Sequence, residues 1–301
     1  MENIIIVSLN PCIDWQYQLP KFKLGEINRV NFDYQVGSGK GINVAVALKN
    51  LGLSPLVVGF NFTQLGEKIT QRLDQHAIPH RFINIPGAVR VNIKMYDNAT
   101  NTMTELNQPG TPVLPPHIAQ LETALAELAH QDKMLVLSGS IPPGCPTDIC
   151  ARLVKLWPGK VFVDAEGEVL KAAINSKPYC IKPNLYELNK TFGQALTNPA
   201  DIATFCQANI KSPHMTCVSM GEDGAVLVTP DGVVCAPAIK VEARGVQGAG
   251  DSMVAGLIWG TLAGHTGDAL LKAGLAAAAA SVKREGTELC KWEDFVKLLA
   301  R

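Results

Sequence analysis

The stretch Ile4-Ile5-Ile6-Val7-Ser8 is apolar and mostly β-branched up to its last position, the composition of a strand covered on both faces rather than one. The same reading applies to Pro55–Gly59, Met134–Ser138, Lys160–Asp164, Tyr179–Lys182, Thr216–Ser219 and Ala225–Thr229, each short and bounded by polar or turn residues. Between these runs fall segments of helix-like composition or spacing: Gly41–Leu51, His117–Ala129, Pro146–Trp157, Pro199–Ile210, Ser252–Ala263 and Asp268–Lys283. Strands alternating with helices predict an α/β fold built on a mainly parallel central sheet with right-handed crossovers.

Two regions break that rhythm. Trp15–Leu19, Val30–Tyr34, Val89–Met95 and Thr102–Leu106 alternate polar and apolar residues with period two, the pattern of strands with one dry and one wet face. They predict a small β-sheet lid whose strands are inserted at about 14–37 and 88–107 into one domain spanning 1–301. Ala276–Ala280 is read as close helix packing.

Composition narrows the function classes. The 301 residues are 47% hydrophobic and 18% charged, enough for a large core and unlike a disordered chain. Lys+Arg and Asp+Glu both number 27. No basic run is present to track a phosphate backbone, which argues against nucleic acid as a partner. The eight cysteines form no C-x-x-C pair and several sit in apolar runs, as buried thiols in a reducing compartment do. The six histidines show no ligand spacing for a transition metal. Met1-Glu2-Asn3 lacks a basic n-region, and the apolar run from Ala273 to Val282 is too short to span a bilayer. A soluble cytoplasmic protein with no membrane partner is expected.

Five segments carry candidate chemistry. Gly248-Ala249-Gly250-Asp251-Ser252 runs into an apolar helix. Glycines at a helix start leave N–H groups bare where the dipole adds positive charge, so the turn suits a phosphoryl group. Asp251 there suits a general base, although it also suits a plain N-cap. Gly37-Ser38-Gly39-Lys40-Gly41-Ile42-Asn43 opens a second helix; it satisfies neither the Walker A pattern nor G-x-G-x-x-G. Lys40 and Asn43 beside bare backbone suit a polyhydroxy ligand carrying phosphate, or the glycines merely shape a turn. Asp14, in Asn10-Pro11-Cys12-Ile13-Asp14, follows the first core strand, and ligands of open α/β sheets sit beyond strand carboxyl ends. A carboxylate there suits two neighbouring hydroxyls, or a turn. In Lys182-Pro183-Asn184-Leu185-Tyr186-Glu187 the i, i+3 spacing of Asn184 and Glu187 suits a Mg²⁺ that keeps its waters, or a solvated helix start. Ser219-Met220-Gly221-Glu222-Asp223-Gly224 reads as a hairpin, with or without nucleotide phosphates at its glycines.

Taken together, these motifs resemble the ribokinase-like (PfkB) carbohydrate kinases, in the group of the 1-phosphofructokinases and tagatose-6-phosphate kinases. The likeness runs from Asn10 to about Ser281. It rests on Gly248–Gly256, with support from Lys40–Ala45, Ser138-Gly139-Ser140-Ile141-Pro142-Pro143-Gly144 and Lys182–Glu187, and Arg90-Val91-Asn92-Ile93-Lys94 resembles the sugar-phosphate branch. The resemblance implies a three-layer α/β/α domain with a β lid. It implies Asp251 as catalytic base and Gly248, Ala249 and Gly250 as an anion hole. Asn184 and Glu187 would govern Mg²⁺, largely through water. Lys182, Ser219, Gly221 and Gly224 would contact ATP. Asp14, Gly39, Lys40, Asn43 and Ser138 would hold the sugar, with Arg29 and Arg90 on the phosphate it already carries. A homodimer through the lid is also implied.

The activity so implied is ATP-dependent phosphorylation of a ketohexose monophosphate, D-fructose 1-phosphate to fructose 1,6-bisphosphate. Tagatose-6-phosphate kinase and 6-phosphofructokinase are the near alternatives, then a neutral-sugar or nucleoside kinase, then a non-catalytic sugar-phosphate sensor. Because the chain carries no net charge, local cations must gather the phosphates, and Arg29, Lys40, Arg90 and Lys94 lie in the glycine turn or the alternating strands. Ser38, Val89, Ala165-Glu166-Gly167, Asn61-Phe62 and Val246-Gln247 depart from the family pattern without touching the base or the anion hole.

Overall fold

The computed structural model describes residues 3–30, 32–211 and 213–301. Its strands are β1 (Ile4–Ser8), β2 (Cys12–Leu19), β3 (Phe32–Ser38), β4 (Pro55–Gln64), β5 (His80–Ala88), β6 (Arg90–Asp97), β7 (Thr102–Asn107), β8 (Met134–Ser138), β9 (Val161–Asp164), β10 (Cys180–Ile181), β11 (Met215–Ser219), β12 (Ala225–Thr229) and β13 (Gly232–Ala236). Its helices are α1 (Lys40–Asn50), α2 (Gly66–Gln75), α3 (Pro115–Leu128), α4 (Ile149–Leu156), α5 (Gly167–Ile174), α6 (Leu185–Phe192), α7 (Pro199–Asn209), α8 (Ala249–Leu262), α9 (Gly267–Val282) and α10 (Trp292–Leu299).

Nine strands form the central sheet in the order β13-β12-β11-β10-β9-β8-β1-β4-β5. Pairs from β5 to β11 are parallel, and β12 and β13 close one edge antiparallel. The sequence-predicted runs fall on β1, β4 and β8 to β12. Every residue of β1, β8 and β9 is buried, as unbroken apolar strands require when helices cover both faces. On one face α1 packs on α8, α8 on α9 and α9 on α10; α4, α5 and α6 pack in series on the other. The contact of α8 with α9 explains the alanine run. A Cβ on Gly256 would lie 2.4 Å from Ala273 O and 2.7 Å from Ala277 Cβ, so only small side chains admit that approach.

The second sheet has the order β3-β2-β6-β7. It takes in all four alternating stretches, although Asn31 of the Val30–Tyr34 stretch lies outside the described residues, as do Met1 and Glu2 at the N-terminus. Its strand residues at this end are 12–19 and 32–38, so the connecting residues 20–30 are not strand. Its amphipathicity is inverted. In the β6 row of Arg90, Asn92, Lys94 and Tyr96, Lys94 is buried and donates to Gln247 of the main domain, while Val91, Ile93 and Met95 of the other row are half-buried. The polar row therefore faces the body of the molecule. The opposite row, with Trp15, Ile93 and Leu106 in register, faces away, and Leu106 is exposed.

Helices α2, α5 and α10 and both edge strands, β5 and β13, are absent from the sequence reading, which has α6 only as a possible helix start at Asn184–Glu187, while α4 is shorter than expected and β10 has only two residues. No helix among the described residues is long and apolar enough to cross a membrane.

Candidate active site

The candidate residues converge at the carboxyl ends of the central strands, where an open α/β sheet presents its loops to ligands. Ser138 ends β8, Asp164 ends β9, Lys182 follows β10 and Ser219 ends β11, while β1 leads into β2 and Asp14. The N-termini of α1 and α8 close the group.

Gly248 is the N-cap of α8, with a left-handed φ of 72°. A Cβ there would stand 2.4 Å from Leu289 Cδ2, so the turn needs glycine for its backbone conformation and its packing. Ala249, Gly250 and Asp251 form the first helical turn, where N–H groups lack intrahelical partners. Lys182 Nζ lies 3.8 Å from where a Cβ on Gly250 would be, so a buried ammonium borders the turn. From behind, Ser252 Oγ accepts from Cys290 N at 3.4 Å.

Asp251 is buried. Burial, then the negative charge of Asp164, raise its carboxyl to about 6; Lys40, a hydrogen bond from Asn43 and Lys182 act in the opposite direction. The bond from Asn43 Nδ2 to Asp251 Oδ2 measures 2.8 Å. A carboxylate titrating near 6 is ionised at neutral pH yet basic enough to take a hydroxyl proton.

Asp164 organises the cations. Its Oδ1 lies 3.3 Å from Lys182 Nζ and 3.6 Å from Lys40 Nζ, and its Oδ2 accepts from Ser138 Oγ at 3.1 Å. Burial alone would raise its carboxyl; Lys182 and Lys40 outweigh that and hold it below the ordinary value. Lys40 also donates to Glu187 Oε1 at 3.0 Å. Burial disfavours its charge, but Asp164, Glu187 and Asp251 keep it protonated well above the ordinary range.

Asn184 and Glu187 make a reciprocal capping box at the start of α6. Glu187 N donates to Asn184 Oδ1 at 2.7 Å, and Asn184 N donates to Glu187 Oε2 at 2.9 Å. Asn184 also bridges to Ser219. Beyond Ser219 the chain turns through Gly221–Asp223 into β12, making the expected hairpin; Gly221 and Gly224 take left-handed φ values of 62° and 98°.

Facing this group is the polar row of the second sheet. Asp14 Oδ2 accepts from Lys94 Nζ at 3.0 Å, and its Oδ1 accepts from Asn92 Nδ2 at 3.4 Å. Lys94 also donates to Gln247 Oε1 at 3.0 Å, which ties the small sheet to the loop entering the Gly248 turn. Arg90 donates to Asn10 O at 3.2 Å, Asn92 Oδ1 at 3.3 Å and Gln108 O at 3.2 Å. Gly39 caps α1 at a φ of 118°, setting Lys40 and Asn43 in its first turn.

Arg29 is the exception. It lies exposed between β2 and β3, off any strand, and joins no hydrogen bond or ion pair among the described residues. Three residues enter that sequence reasoning missed. Asp164 was signalled by being the one acid ending an apolar run, Val161-Phe162-Val163. Gln247 stood out only as a departure from a pattern, and Arg72, described below, carried no signal.

A sheet of this order, with a buried acid on a glycine-rich helix start facing a polar sheet, defines a ribokinase-like phosphotransferase fold. Residues 2–294 match the pfkB family of carbohydrate kinases, and the chain belongs to that family. It is 30% identical over 295 residues to the 1-phosphofructokinase of Vibrio cholerae, covering 96% of this chain and 92% of that one. It is 30% identical over 302 residues to the 1-phosphofructokinase of Borreliella burgdorferi, covering 99% and 97%. Among solved structures it is similar to phosphofructokinase-2 from Escherichia coli, both in complex with fructose-6-phosphate and in its tetrameric inhibited form. Each has a TM-score of 0.90 and 26% identity, and covers 100% of this chain and 99% of the other.

Proposed function

We propose that the chain transfers the γ-phosphoryl group of ATP to a hydroxyl of a ketohexose monophosphate, with D-fructose 1-phosphate giving fructose 1,6-bisphosphate. The observation that carries this reading is Asp251, a buried carboxylate held by Asn43 at the mouth of a bare helix start and faced by Asp14, Arg90 and Lys94. The base serves the hydroxyl, the helix start serves the phosphoryl group, and the facing cations serve a substrate that is already an anion. The relatives named 1-phosphofructokinase support the choice of ketose phosphate.

In the proposed reaction the sugar rests on Asp14, Gly39, Lys40, Asn43 and Ser138, and Arg90 takes its phosphate. Arg29 would act there only by a movement of the 20–30 segment. The accepting hydroxyl gives its proton to Asp251 as its oxygen bonds to the γ-phosphorus. The bond from phosphorus to the bridging oxygen breaks, ADP departs, and the proton remains on Asp251. The N–H groups at Gly248, Ala249 and Gly250 meet charge growing on the transferring oxygens, with Lys182 beside them. Ser219, Gly221 and Gly224 border the nucleotide.

No three His, Cys, Asp or Glu side chains cluster as a metal cage among the described residues. The oxygens of Asn184 and Glu187 already serve the capping box, so the pair fits Mg²⁺ that keeps its waters and rides on the nucleotide. Bound there, Mg²⁺ supplies charge neutralisation for the phosphates.

The inverted sheet supports a homodimer through the lid: its outward row, with Leu24 and Ile27 91% and 84% exposed in the adjoining segment, is an apolar surface that a second copy covers. The eight free cysteines, seven of them buried, support a reducing cytoplasmic setting.

The likeness to a phosphofructokinase-2 bound to fructose-6-phosphate favours a second reading, phosphorylation of a 6-phosphate ketose. ADP release with MgATP and fructose 1-phosphate, fructose 6-phosphate, tagatose 6-phosphate, fructose, ribose or adenosine separates the readings. The highest kcat/KM with fructose 1-phosphate is expected; turnover only with a neutral sugar or nucleoside refutes the proposal.

A further inference from the structure

Arg72 lies on α2 and is only 7% exposed. One of its terminal nitrogens donates to Gly37 O at 2.6 Å and to Asn43 Oδ1 at 2.9 Å. The other end of the same amide, Asn43 Nδ2, donates to Asp251 Oδ2. The chain of contacts thus runs from α2 through α1 to the first turn of α8. No carboxylate stands within ion-pair distance of Arg72 among the described residues, so its deep burial is not explained by a salt bridge.

We propose that Arg72 is a positioning residue for phosphoryl transfer, locking the side-chain amide of Asn43 in the orientation that presents its N–H to Asp251. This rests on Asp251 being the base. A guanidinium only donates and a carboxylate only accepts, so a primary amide held between them has one favourable orientation. The flipped amide would set its oxygen against the carboxylate and its NH₂ against the guanidinium. Ser38 Oγ, 3.4 Å from Asn43 Oδ1, is a hydroxyl that rotates to donate or accept, so it fixes no orientation. Arg72 is itself anchored by Gly37 O. Gly37 abuts α2 closely: a Cβ there would stand 2.3 Å from Lys68 O.

The groups facing Asp251 are Asp164 from β9, Lys40 and Asn43 from α1, Lys182 beyond β10 and Arg72 from α2. Asp164 and burial favour its neutral form, and the other four favour the carboxylate. Without Arg72 the amide is free to turn and one cation is lost, both changes in the direction that keeps the proton on Asp251. The base then becomes harder to ionise and less well aimed; Asp14, which also feels the charge of Arg72, keeps its own partners Lys94 and Asn92.

The test uses Arg72→Met, which keeps bulk without donors, and Arg72→Lys, which keeps a donor and the charge. Three readouts are taken: kcat and KM for the ketohexose phosphate, the acid limb of kcat, and the Asp251 carboxyl titration followed by ¹³C NMR and assigned with Asp251→Asn. The last needs no turnover. Arg72→Met is expected to lower kcat at least about 10-fold, to change KM less than about threefold, and to move the acid limb and the titration up by about 0.5–1 pH unit. Arg72→Lys is expected to recover part of each. An unmoved titration in Arg72→Met, or equal losses in both variants without a shift, overturns the proposal. If the wild-type protein phosphorylates no sugar phosphate while the titration still moves, the proposed function fails and the hold of Arg72 on Asp251 stands.

Discussion

Replacing Asp251 by Asn should abolish most activity and at the same time make the protein more stable. Burial and Asp164 raise the carboxyl from an ordinary 3.8 to about 6, whereas the unfolded chain returns it to its ordinary value. Between those two values the native state holds a proton that the unfolded state has released, so stability falls as pH rises through that window. At about 1.4 kcal/mol per pH unit, a gap of roughly two units makes the ionised form cost up to about 3 kcal/mol above pH 6. Asparagine has nearly the same shape, accepts from Asn43 Nδ2 and never ionises. Asp251→Asn is therefore expected to be more stable by about 1–3 kcal/mol at pH 8, with the gain vanishing toward pH 4. Its kcat should fall roughly 10²–10⁴-fold, the typical share of a general base. Urea unfolding at both pH values, followed by tryptophan fluorescence, measures the first effect; ADP release measures the second. A variant less stable than wild type at pH 8, or a gain of equal size at both pH values, would refute the reasoning.

In the wild type, kcat should halve near pH 6 and fall about 10-fold for each further unit of acid, measured under saturating substrates. Arg90→Ala should raise KM for the sugar phosphate by roughly 10–100-fold, from losing a charge-assisted contact, with KM for MgATP little changed in the same assay. Gly248→Ala puts a methyl on Leu289 at a left-handed φ, so kcat should drop sharply; adding Leu289→Ala relieves the clash but not the backbone strain, and recovery should be partial. Asn184→Ala removes one half of a capping box and should cost about 1 kcal/mol in urea unfolding.

The central strands were legible because burial on both faces writes an unbroken apolar run, as in β1, β8 and β9. The edge strands β5 and β13 were not: burial alternates irregularly in the first, and no residue of the second is buried. Helices α5 and α10 have eight residues each, little more than two turns, a length at which a 3.6-residue period shows weakly; α4 and α6 are as short, and were read only within the longer run Pro146–Trp157 and as a possible start at Asn184–Glu187. Helix α2 follows Leu65 in a left-handed conformation, with no capping side chain and only Glu67 in its first turn as a start signal. Asp251 and both glycine turns were legible as helix starts because their residue types are concentrated locally. The partners that tune them were not: Arg72 meets Asn43 from 29 residues away, and Lys94 meets Asp14 from 80. The polar row of β6 was read correctly as alternation, but alternation alone does not say which side is turned inward. Here the polar side chains at the carboxyl ends of the central strands, rather than a dry core, lie on the inner side.

The strand order has a consequence for how the chain is made. The second sheet is complete within residues 12–107, whereas β1 waits for β8, about 130 residues later, to cover its second edge. From β8 to β13 each new strand joins the edge left by the one before, so the sheet extends in the direction in which a ribosome delivers it. Asp14, Asn43 and Arg90, which we propose hold the sugar, thus leave the ribosome early, and the turn at Gly248–Asp251, proposed to serve the phosphoryl group, leaves it late. On the proposed roles, a nascent chain has a cradle for the acceptor well before it has the turn that would activate it.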